Sequence, residues 1–236
     1  MISVCMATYN GEKYLRQQLD SILVQLSEQD EIVISDDGST DKTIEILKSY
    51  KDTRIKVFNN IKNHGVNSNF ENALQNAYGN YIFLSDQDDV WLPGKIEACV
   101  NALNSVDCVI HDAIITNAEL KIIAQSFFAY RRSGNGLLKN IVKNTYLGCC
   151  MAFRRELLPT VLPIPNTTRF YHDNWIGLLA DWKFNLRFIP FKGIYFRRHE
   201  SNTSYTAKTS KYSRMRQLTN RLSQFWLTYK RIKSFK

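Results

Sequence analysis

The chain contains Tyr81-Ile82-Phe83-Leu84-Ser85-Asp86-Gln87-Asp88-Asp89 in its first half, a predicted strand followed by a cluster of carboxylates. Its first five residues are mostly apolar and predict a buried strand, whereas the last four place three carboxylates where that strand ends. Oxygen ligands suit a hard divalent cation such as Mg2+ or Mn2+, which takes its remaining ligands from water and substrate phosphates. The pattern therefore indicates a metal site for a nucleoside diphosphate, although acidic residues after a strand also form solvated turns and helix caps.

Short apolar runs alternate with helical periodicity around this stretch. We predict strands at residues 2–8, 31–35, 55–59 and 81–85, and helices at 14–26, 40–50 and 67–78. This alternation predicts an α/β domain with a mostly parallel central sheet flanked by helices, whose ligands bind at the carboxyl ends of the strands. Polar clusters follow three of the strands, at 7–10, 36–39 and 86–89. Parallel pairing would bring these clusters to one edge of the sheet.

The second half of the chain is less regular. A helix is predicted after Pro93 and a strand at 106–115. Residues 116–146 are rich in aromatic and basic side chains and predict an excursion that faces the substrate. A helix that opens at His172-Asp173 carries an apolar stripe, and two short strands follow it up to His199.

The charge of the chain is concentrated at its end. The chain has 236 residues, of which 44% are apolar, so it is large enough for a domain with a real core. No acidic residue follows Glu200, whereas nine lysines and arginines do, and they account for the net charge of +9. The other 22 basic residues balance the 22 acidic residues. We therefore divide the chain into a neutral domain at 1–206 and a basic helical tail at 207–236.

The tail has the pattern of an amphipathic helix. Its apolar residues alternate in spacings of three and four, at Met215, Leu218, Leu222, Phe225, Tyr229 and Ile232. The aromatic residues and the lack of acids favour a helix that lies on an anionic membrane, where each basic residue contributes about 1 kcal/mol. Packing on the body or on a second copy is an equal alternative, and we expect no nucleic acid partner.

Localisation and thiol chemistry follow from simple counts. No run approaches the roughly eighteen apolar residues of a membrane span, and the first residues have a strand pattern rather than that of a signal peptide. This predicts a cytoplasmic protein, peripheral on the inner face of the cell membrane if the tail binds lipid. Five cysteines, at positions 5, 99, 108, 149 and 150, lack the CxxC spacing of metal sites and favour reduced thiols.

Three motifs together resemble the family 2 glycosyltransferases, which have the metal-dependent, nucleotide-sugar-binding A-type fold. They are Ile2-Ser3-Val4-Cys5-Met6-Ala7-Thr8-Tyr9-Asn10-Gly11, Ser35-Asp36-Asp37-Gly38-Ser39-Thr40-Asp41 and Leu84-Ser85-Asp86-Gln87-Asp88-Asp89-Val90-Trp91-Leu92-Pro93. Their order and spacing are similar to those of the family, although Ala7 stands where proline is usual. The resemblance runs from Ile2 to about Asn202, implies that 1–206 is the catalytic domain, and extends to bacterial rhamnosyl, glucosyl and galactosyl transferases of capsule and O-antigen synthesis.

The resemblance implies that the first two motifs bind the nucleotide. A carboxylate of Asp36 or Asp37 would accept the imide N–H of uracil or thymine, and Asp37 is the better candidate by its position in the motif. Thr8 belongs to the same binding turn, and Tyr9 would lie against the base. A turn carboxylate that precedes a helix cap is the structural alternative, and the two roles are compatible.

The resemblance also implies the metal ligands. Asp88 would bind the metal, Asp86 would contact ribose or a metal-bound water, and Asp89 alternatively caps the next helix. His199 resembles a late histidine that completes the metal shell in related bacterial transferases, and an imidazole ligand suits Mn2+ better than Mg2+. Arg197-Arg198 would hold diphosphate oxygens, or else remain solvated at the end of a strand.

Asp173 is the candidate for the catalytic base. It lies in His172-Asp173-Asn174-Trp175, which resembles the acidic motif that carries the base in inverting members of the family. A base on the face opposite the diphosphate would take the acceptor's proton during one in-line displacement, with inversion at the anomeric carbon. Its structural alternative is a helix N-cap.

These expectations give one hypothesis for function. The protein would be an inverting, metal-dependent glycosyltransferase that moves a sugar from a UDP- or dTDP-linked donor to a hydroxyl of a glycan, with a lipid carrier holding the acceptor during surface polysaccharide synthesis. A sugar nucleotidyltransferase is a weaker alternative, because the expected glycine-rich N-terminal loop is replaced by Ala7-Thr8-Tyr9-Asn10-Gly11. A sugar-nucleotide-binding or membrane-scaffold protein without turnover is the other alternative.

Overall fold

The computed structural model describes residues 1–61, 63–200 and 213–235. The strands are β1 Ile2–Thr8, β2 Glu31–Asp36, β3 Ile55–Asn59, β4 Tyr81–Ser85, β5 Val90–Trp91, β6 Cys108–Thr116, β7 Ile122–Ala124, β8 Met151–Arg154 and β9 Leu186–Arg197. The helices are α1 Leu15–Leu23, α2 Thr43–Ser49, α3 Val66–Gln75, α4 Lys95–Leu103, α5 Phe127–Arg131, α6 Leu137–Val142, α7 Leu158–Val161, α8 His172–Lys183 and α9 Arg214–Lys233. Short 3-10 turns lie at Gly148–Cys150 and Arg155–Leu157.

Within the described residues, nine strands form a single sheet in the order β3-β2-β1-β4-β8-β6-β9-β5, with β7 paired to β6. β1, β2, β3 and β4 pair in parallel, and so do β6 and β9. β8 is antiparallel to both β4 and β6, so β6 and β9 run in the same direction as β1. β5 and β7 run the opposite way. The prediction of an α/β domain with a mostly parallel sheet is therefore confirmed.

The central strands are continuous apolar runs because both faces of the sheet are covered there. Val4, Ile32, Ile34 and Phe83 are fully buried, as parallel strands covered on both faces require. The register pairs Thr8 of β1 with Asp36 of β2, and Met6 of β1 with Ser85 of β4. The three parallel strands therefore end at one edge of the sheet.

The structure differs from the prediction after α8, where one long strand replaces the two short ones. Pro190 interrupts the apolar pattern, but β9 continues alongside β6 through a shift of register between His111 and Asp112. Ile189 pairs with His111 and Lys192 pairs with Asp112, so the extra residues are accommodated as an irregularity. The excursion at 116–146 also contains structure of its own, since β7, α5 and α6 lie within it.

The last described helix, α9, packs on the body. Gln224 and Thr228 are buried, the rings of Trp182 and Phe225 stack 5.5 Å apart, and the Nε atom of Arg231 donates a hydrogen bond to the carbonyl of Thr160 (2.9 Å). No described helix combines the length and the apolar character needed to cross a membrane. The proposed boundary at 206/207 lies outside the described residues. All five cysteines are free and buried.

Candidate active site

Hydrogen bonds join the three polar clusters at the edge of the sheet. The N–H of Tyr9 donates to Oε1 of Gln87 (2.9 Å), and Nε2 of Gln87 donates to the carbonyl of Tyr9 (3.0 Å). The N–H of Asn10 donates to Oγ of Ser39, and the N–H of Thr40 donates to Oδ1 of Asn10. Asn10 adopts a left-handed conformation (φ 48°), which asparagine tolerates better than most residues. The turn after β1 is therefore bonded to the turns after β2 and β4.

Asp36 organises the turn after β2. It is 2% exposed, and its carboxylate accepts hydrogen bonds from the hydroxyls of Thr8 (2.8 Å) and Ser39 (2.6 Å). The same carboxylate accepts the backbone N–H groups of Gly38 and Ser39. Because each oxygen is bonded within the turn, Asp36 fixes the backbone. Thr8, which is 1% exposed, is held by the same bond.

Asp37, the next residue, lines a cleft of about 1080 Å³. Its Oδ1 atom accepts a hydrogen bond from Nδ2 of Asn60 (2.8 Å) and lies 3.1 Å from Nδ1 of His64. Its Oδ2 atom accepts the N–H of Gly65 (2.8 Å). These donors orient the carboxylate at the wall of the cleft. Tyr9, whose side chain is 55% exposed, lines the same cleft.

Asp88 and His199 meet across the cleft wall. Oδ2 of Asp88 lies 2.8 Å from Nε2 of His199, and both side chains are mostly buried. Two adjacent ligands in an octahedral shell with bonds of 2.0–2.1 Å lie about 3 Å apart. This separation is that of a hydrogen bond between the two side chains, and it also matches two neighbouring ligands of a divalent cation such as Mn2+; both residues border the cleft.

Asp89 does not cap the following helix. The residue before α4 is Gly94, whereas Asp89 is completely buried and accepts the backbone N–H of Arg197 (2.9 Å). Burial, followed by the charge of Asp88, raises the pKa of Asp89 to about 7. The capping alternative was therefore wrong, because this carboxylate accepts a hydrogen bond from the backbone of β9 instead.

A second set of donor atoms lies beside this pair. Asp86, Asp89 and Cys149 place one donor atom each within 4.8 Å of one another. Burial, followed by the charges of Asp88, Asp89 and Asp173, raises the pKa of Asp86 well above its ordinary value. Burial also raises the pKa of the Cys149 thiol, and a protonated thiol is a poor ligand for a hard cation. The donor set of Asp88 and His199 therefore fits Mn2+ or Mg2+ better.

Asp173 lies in the first turn of α8 and lines the cleft. The N-cap position belongs to Tyr171, and Oδ1 of Asp173 accepts the N–H of Asn174 (2.6 Å). Burial raises the pKa of Asp173 to about 6. A carboxylate with this pKa is ionised at neutral pH and is more basic than an exposed aspartate, as a general base requires.

His172 and Gly148, which the sequence did not single out, shape the wall beside Asp173. His172 is 6% exposed, its ring stacks on Phe70 at 3.7 Å, and burial lowers its pKa to about 3. A Cβ atom on Gly148 would lie 2.8 Å from Nε2 of His172 and 3.2 Å from Cβ of Asp173. Glycine therefore allows α8 to approach the turn at Gly148–Cys150.

The two arginines at the end of β9 lie in different environments. Arg197 is 3% exposed; it donates to the carbonyls of Asp88 (Nε, 2.7 Å) and Ala118 and to Oε1 of Gln17 (2.6 Å). Arg198 lines the cleft, and its Nη1 atom has no hydrogen-bond partner among the described residues. The structure therefore brings Arg198 to the cleft and directs Arg197 into the protein.

The model of the family described as "Glycosyl transferase family 2" matches residues 3–162. A curated relative, an uncharacterized glycosyltransferase of Nostoc, is 28% identical and covers 89% of this chain and 68% of its own length. A glucosyltransferase of Escherichia coli, "UDP-Glc:alpha-D-GlcNAc-diphosphoundecaprenol beta-1,3-glucosyltransferase WfgD", is 27% identical over 77% of this chain and 70% of its own. The "dTDP-rhamnosyl transferase RfbG" of Shigella flexneri is 34% identical over 58% of this chain and 45% of its own.

The fold is similar to solved structures. The structure of S. aureus TarS in complex with UDP-GlcNAc superposes with a TM-score of 0.67 at 21% identity, covering 89% of this chain and 62% of TarS 1-349. A mannosyltransferase of Pyrobaculum calidifontis in complex with GDP-Man and Mn2+ superposes with a TM-score of 0.55 at 19% identity, over 80% of this chain and 54% of its own. This chain thus spans less than two thirds of both structures.

Proposed function

This chain belongs to glycosyl transferase family 2, and we propose that it is an inverting, metal-dependent enzyme that transfers a sugar from a UDP- or dTDP-linked donor to a hydroxyl of a glycan. The observation that carries the proposal is the pair of Asp88 and His199, 2.8 Å apart, on a cleft that Asp37 and Asp173 also line. One cleft thus holds candidate groups for base recognition, metal binding and proton removal. Family membership also argues against a sugar nucleotidyltransferase.

Nucleotide recognition is assigned to Asp37 and Tyr9. Three donors from Asn60, His64 and Gly65 surround the carboxylate of Asp37, so it is oriented before a ligand arrives. An oriented carboxylate can accept the imide N–H of uracil or thymine, and the ring of Tyr9 offers a stacking surface for the base. Asp36 is assigned a positioning role in the same turn, together with Thr8.

The diphosphate is assigned to the other end of the cleft. Asp88 and His199 would hold Mn2+ or Mg2+, which supplies positive charge for the departing diphosphate. Arg198 adds a guanidinium whose Nη1 atom lacks a partner among the described residues. Asp86, near Asp88, is assigned to ribose or to a metal-bound water, as the resemblance implies. Arg197 is assigned to holding the backbone of Asp88 in place.

Asp173 is assigned as the base. Its raised pKa of about 6 suits proton removal from a sugar hydroxyl at neutral pH. The acceptor oxygen would bond to the anomeric carbon while the bond to the diphosphate breaks, and Asp173 would receive the hydroxyl proton. A single displacement of this kind inverts the anomeric centre.

The tail is proposed to bring the enzyme to a lipid-linked acceptor. The name of WfgD specifies an acceptor linked to diphosphoundecaprenol, which supports such an acceptor here. One face of α9 packs on α8, whereas the opposite face leaves Met215 70%, Leu222 60% and Trp226 52% exposed. Lys230 and Lys233 flank this face, so a second copy would bring like charges together, while an anionic membrane would neutralise them. The chain is accordingly divided into a catalytic domain at 1–206 and a membrane-binding tail at 207–236.

Sedimentation with vesicles tests the tail. We expect binding to vesicles that contain phosphatidylglycerol, weaker binding to phosphatidylcholine alone, and loss of binding in the double variant Leu222→Ser/Trp226→Ser. Tyr78→Ser, which removes an aromatic side chain that is 66% exposed elsewhere on the surface, is the matched control. Equal binding to both kinds of vesicle, or concentration-dependent dimers without lipid binding, would contradict the assignment.

Calorimetry tests the donor site. We expect UDP or dTDP to bind in the presence of Mn2+, GDP to bind more weakly, and Asp88→Ala to lose the effect of the metal. Asp20→Asn, which changes an exposed carboxylate of α1, should behave like the wild type. If the folded protein bound none of these nucleotides in a metal-dependent way, the donor site would be wrong and a role without turnover would gain support.

A further inference from the structure

Gln87, which stands between Asp86 and Asp88, pairs with the backbone of the turn after β1. Its amide makes two hydrogen bonds with one peptide residue: Oε1 accepts the N–H of Tyr9 (2.9 Å), and Nε2 donates to the carbonyl of Tyr9 (3.0 Å). Both groups of the side-chain amide are therefore matched, as in a rung of a β-ladder. The pairing connects residues 78 positions apart in the sequence.

The neighbouring backbone is shaped to admit this side chain. A Cβ atom on Gly11 would lie 2.3 Å from Oε1 of Gln87, so another residue at this position would displace the amide from its place beside Tyr9. The N–H of Gly11 donates to Oγ1 of Thr43 (2.7 Å), which fixes the glycine beside the amide. The space is therefore a fixed feature of the turn, and Gln87 fills it.

The segment that carries Gln87 is held firmly on either side. Nε2 of Gln18 donates to the carbonyl of Asp86 (2.8 Å), and Nε of Arg197 donates to the carbonyl of Asp88 (2.7 Å). The Gln87 amide therefore joins the turn at Tyr9 to a short segment that has few conformations of its own. This amide, together with the bonds from Gln18 and Arg197, fixes the distance between that turn and the backbone of Asp88.

We propose that Gln87 is a positioning residue that couples nucleotide binding at Tyr9 and Asp37 to metal binding at Asp88 and His199. This inference rests on the proposed function of those two sites. When a base orders Tyr9, the paired amide of Gln87 restricts the Asp86–Asp88 backbone to the arrangement that binds the cation. Coupling between two binding sites is reciprocal, so the metal should strengthen nucleotide binding by the same factor.

The experiment compares wild type, Gln87→Met and the control Gln75→Met by calorimetry. Methionine keeps the length of the side chain but neither hydrogen-bonding group, and Gln75 is an exposed glutamine of α3 bonded to Glu71. The quantity of interest is the ratio of the Kd for UDP without metal to the Kd for UDP at saturating Mn2+. We expect this ratio to fall about tenfold in Gln87→Met, within the usual range for coupling between sites, and to stay unchanged in Gln75→Met.

The affinity for Mn2+ with and without UDP should change by the same factor as the UDP ratio. If Gln87→Met keeps the wild-type ratio, or weakens UDP equally with and without metal, the amide has only a structural role and the inference is overturned. A wild-type ratio of one would overturn the proposed function together with the inference. Thermal unfolding checks that Gln87→Met is folded. If this variant unfolds at a lower temperature than the wild type, Gln87→Asn replaces it, because asparagine keeps the amide but is too short to reach Tyr9. The inference then requires that Gln87→Asn lower the ratio of the two Kd values for UDP.

Discussion

Replacing Asp173 with asparagine is the most direct test of the proposed chemistry. Asparagine has nearly the same shape, and its Oδ1 atom can still accept the N–H of Asn174, which lies 2.6 Å from the aspartate oxygen. The wall formed by His172 and Gly148 should remain in place. The substitution therefore removes the proton acceptor without removing the local packing.

The expected loss of transfer is large. A positioned general base contributes about 100- to 10,000-fold to the rate, so kcat of Asp173→Asn should fall within that range while the Kd for the donor nucleotide changes little. With a pKa of about 6, about nine tenths of Asp173 is ionised at pH 7 and about one tenth at pH 5. The wild-type kcat/KM should therefore fall about tenfold between these pH values, and the residual activity of the variant should lack this dependence.

Asp173→Asn should be more stable than the wild type at neutral pH, although it should be less active. Burial raises the pKa of Asp173 from its ordinary 3.8 to about 6, which corresponds to a cost of about 3 kcal/mol for the ionised form. Between about pH 4 and pH 6 the folded chain holds more protons at this site than the unfolded chain, so the free energy of unfolding decreases as the pH rises through this window. We expect Asp173→Asn to be more stable at pH 7 by up to about 3 kcal/mol, and this gain to vanish below about pH 4.

Transfer of radiolabelled sugar measures the rate, and urea denaturation at several pH values measures the stability. Asp20→Asn, at an exposed position of α1, is the control for the loss of a carboxylate. If Asp173→Asn retained transfer within about threefold of wild type, or kept the acidic limb of the pH profile, Asp173 would not be the base. If transfer were lost together with donor binding, the residue would belong to the donor site instead.

Four further substitutions separate the roles of neighbouring residues. Gly148→Ala should lower kcat by up to about 100-fold with an unchanged circular dichroism spectrum, because its Cβ would lie 2.8 Å from Nε2 of His172; full activity would contradict this. Arg197→Ala should lower the free energy of unfolding in urea by about 3 kcal/mol. Arg198→Ala should leave that free energy within about 1 kcal/mol of wild type and weaken Mn2+-dependent UDP binding about tenfold. A stability loss in Arg198→Ala together with a binding loss in Arg197→Ala would exchange the two roles. Asp37→Asn should weaken UDP about tenfold but leave the affinity for pyrophosphate unchanged, which calorimetry with both ligands measures, and an equal loss for both would argue against base recognition.

The four parallel strands of the first half could be predicted from the sequence to within one residue, whereas the ends of the helices between them differ by up to three residues. The predicted strands at 55–59 and 81–85 coincide with β3 and β4. Parallel strands covered on both faces need continuous apolar runs, and the polar residues that end these runs mark the edge where ligands bind. The meeting of three clusters at one edge follows from this pattern and from parallel pairing alone.

The rest of the fold depends on contacts between distant parts of the chain. β9 was predicted as two strands because Pro190 breaks the local pattern, yet its pairing with β6 continues on both sides of the irregularity. The role of Asp89 could not be predicted either, because its partner is the backbone N–H of Arg197, 108 residues away. Local patterns carry no information about such partners.

The roles of adjacent candidate residues are separated by where each strand ends. The last residues of β1, β2, β4 and β9 are buried, and the residue that follows each of them lines the cleft; these following residues are Tyr9, Asp37, Asp86 and Arg198. The side chain of each last strand residue bonds within the protein, whereas the next residue leaves the sheet; of these four last residues, Thr8 also borders the cleft. The predicted end of β2 at Ser35 was one residue short of the observed end at Asp36. An uncertainty of one residue at a strand end is thus enough to exchange a residue that shapes the turn for one that lines the cleft.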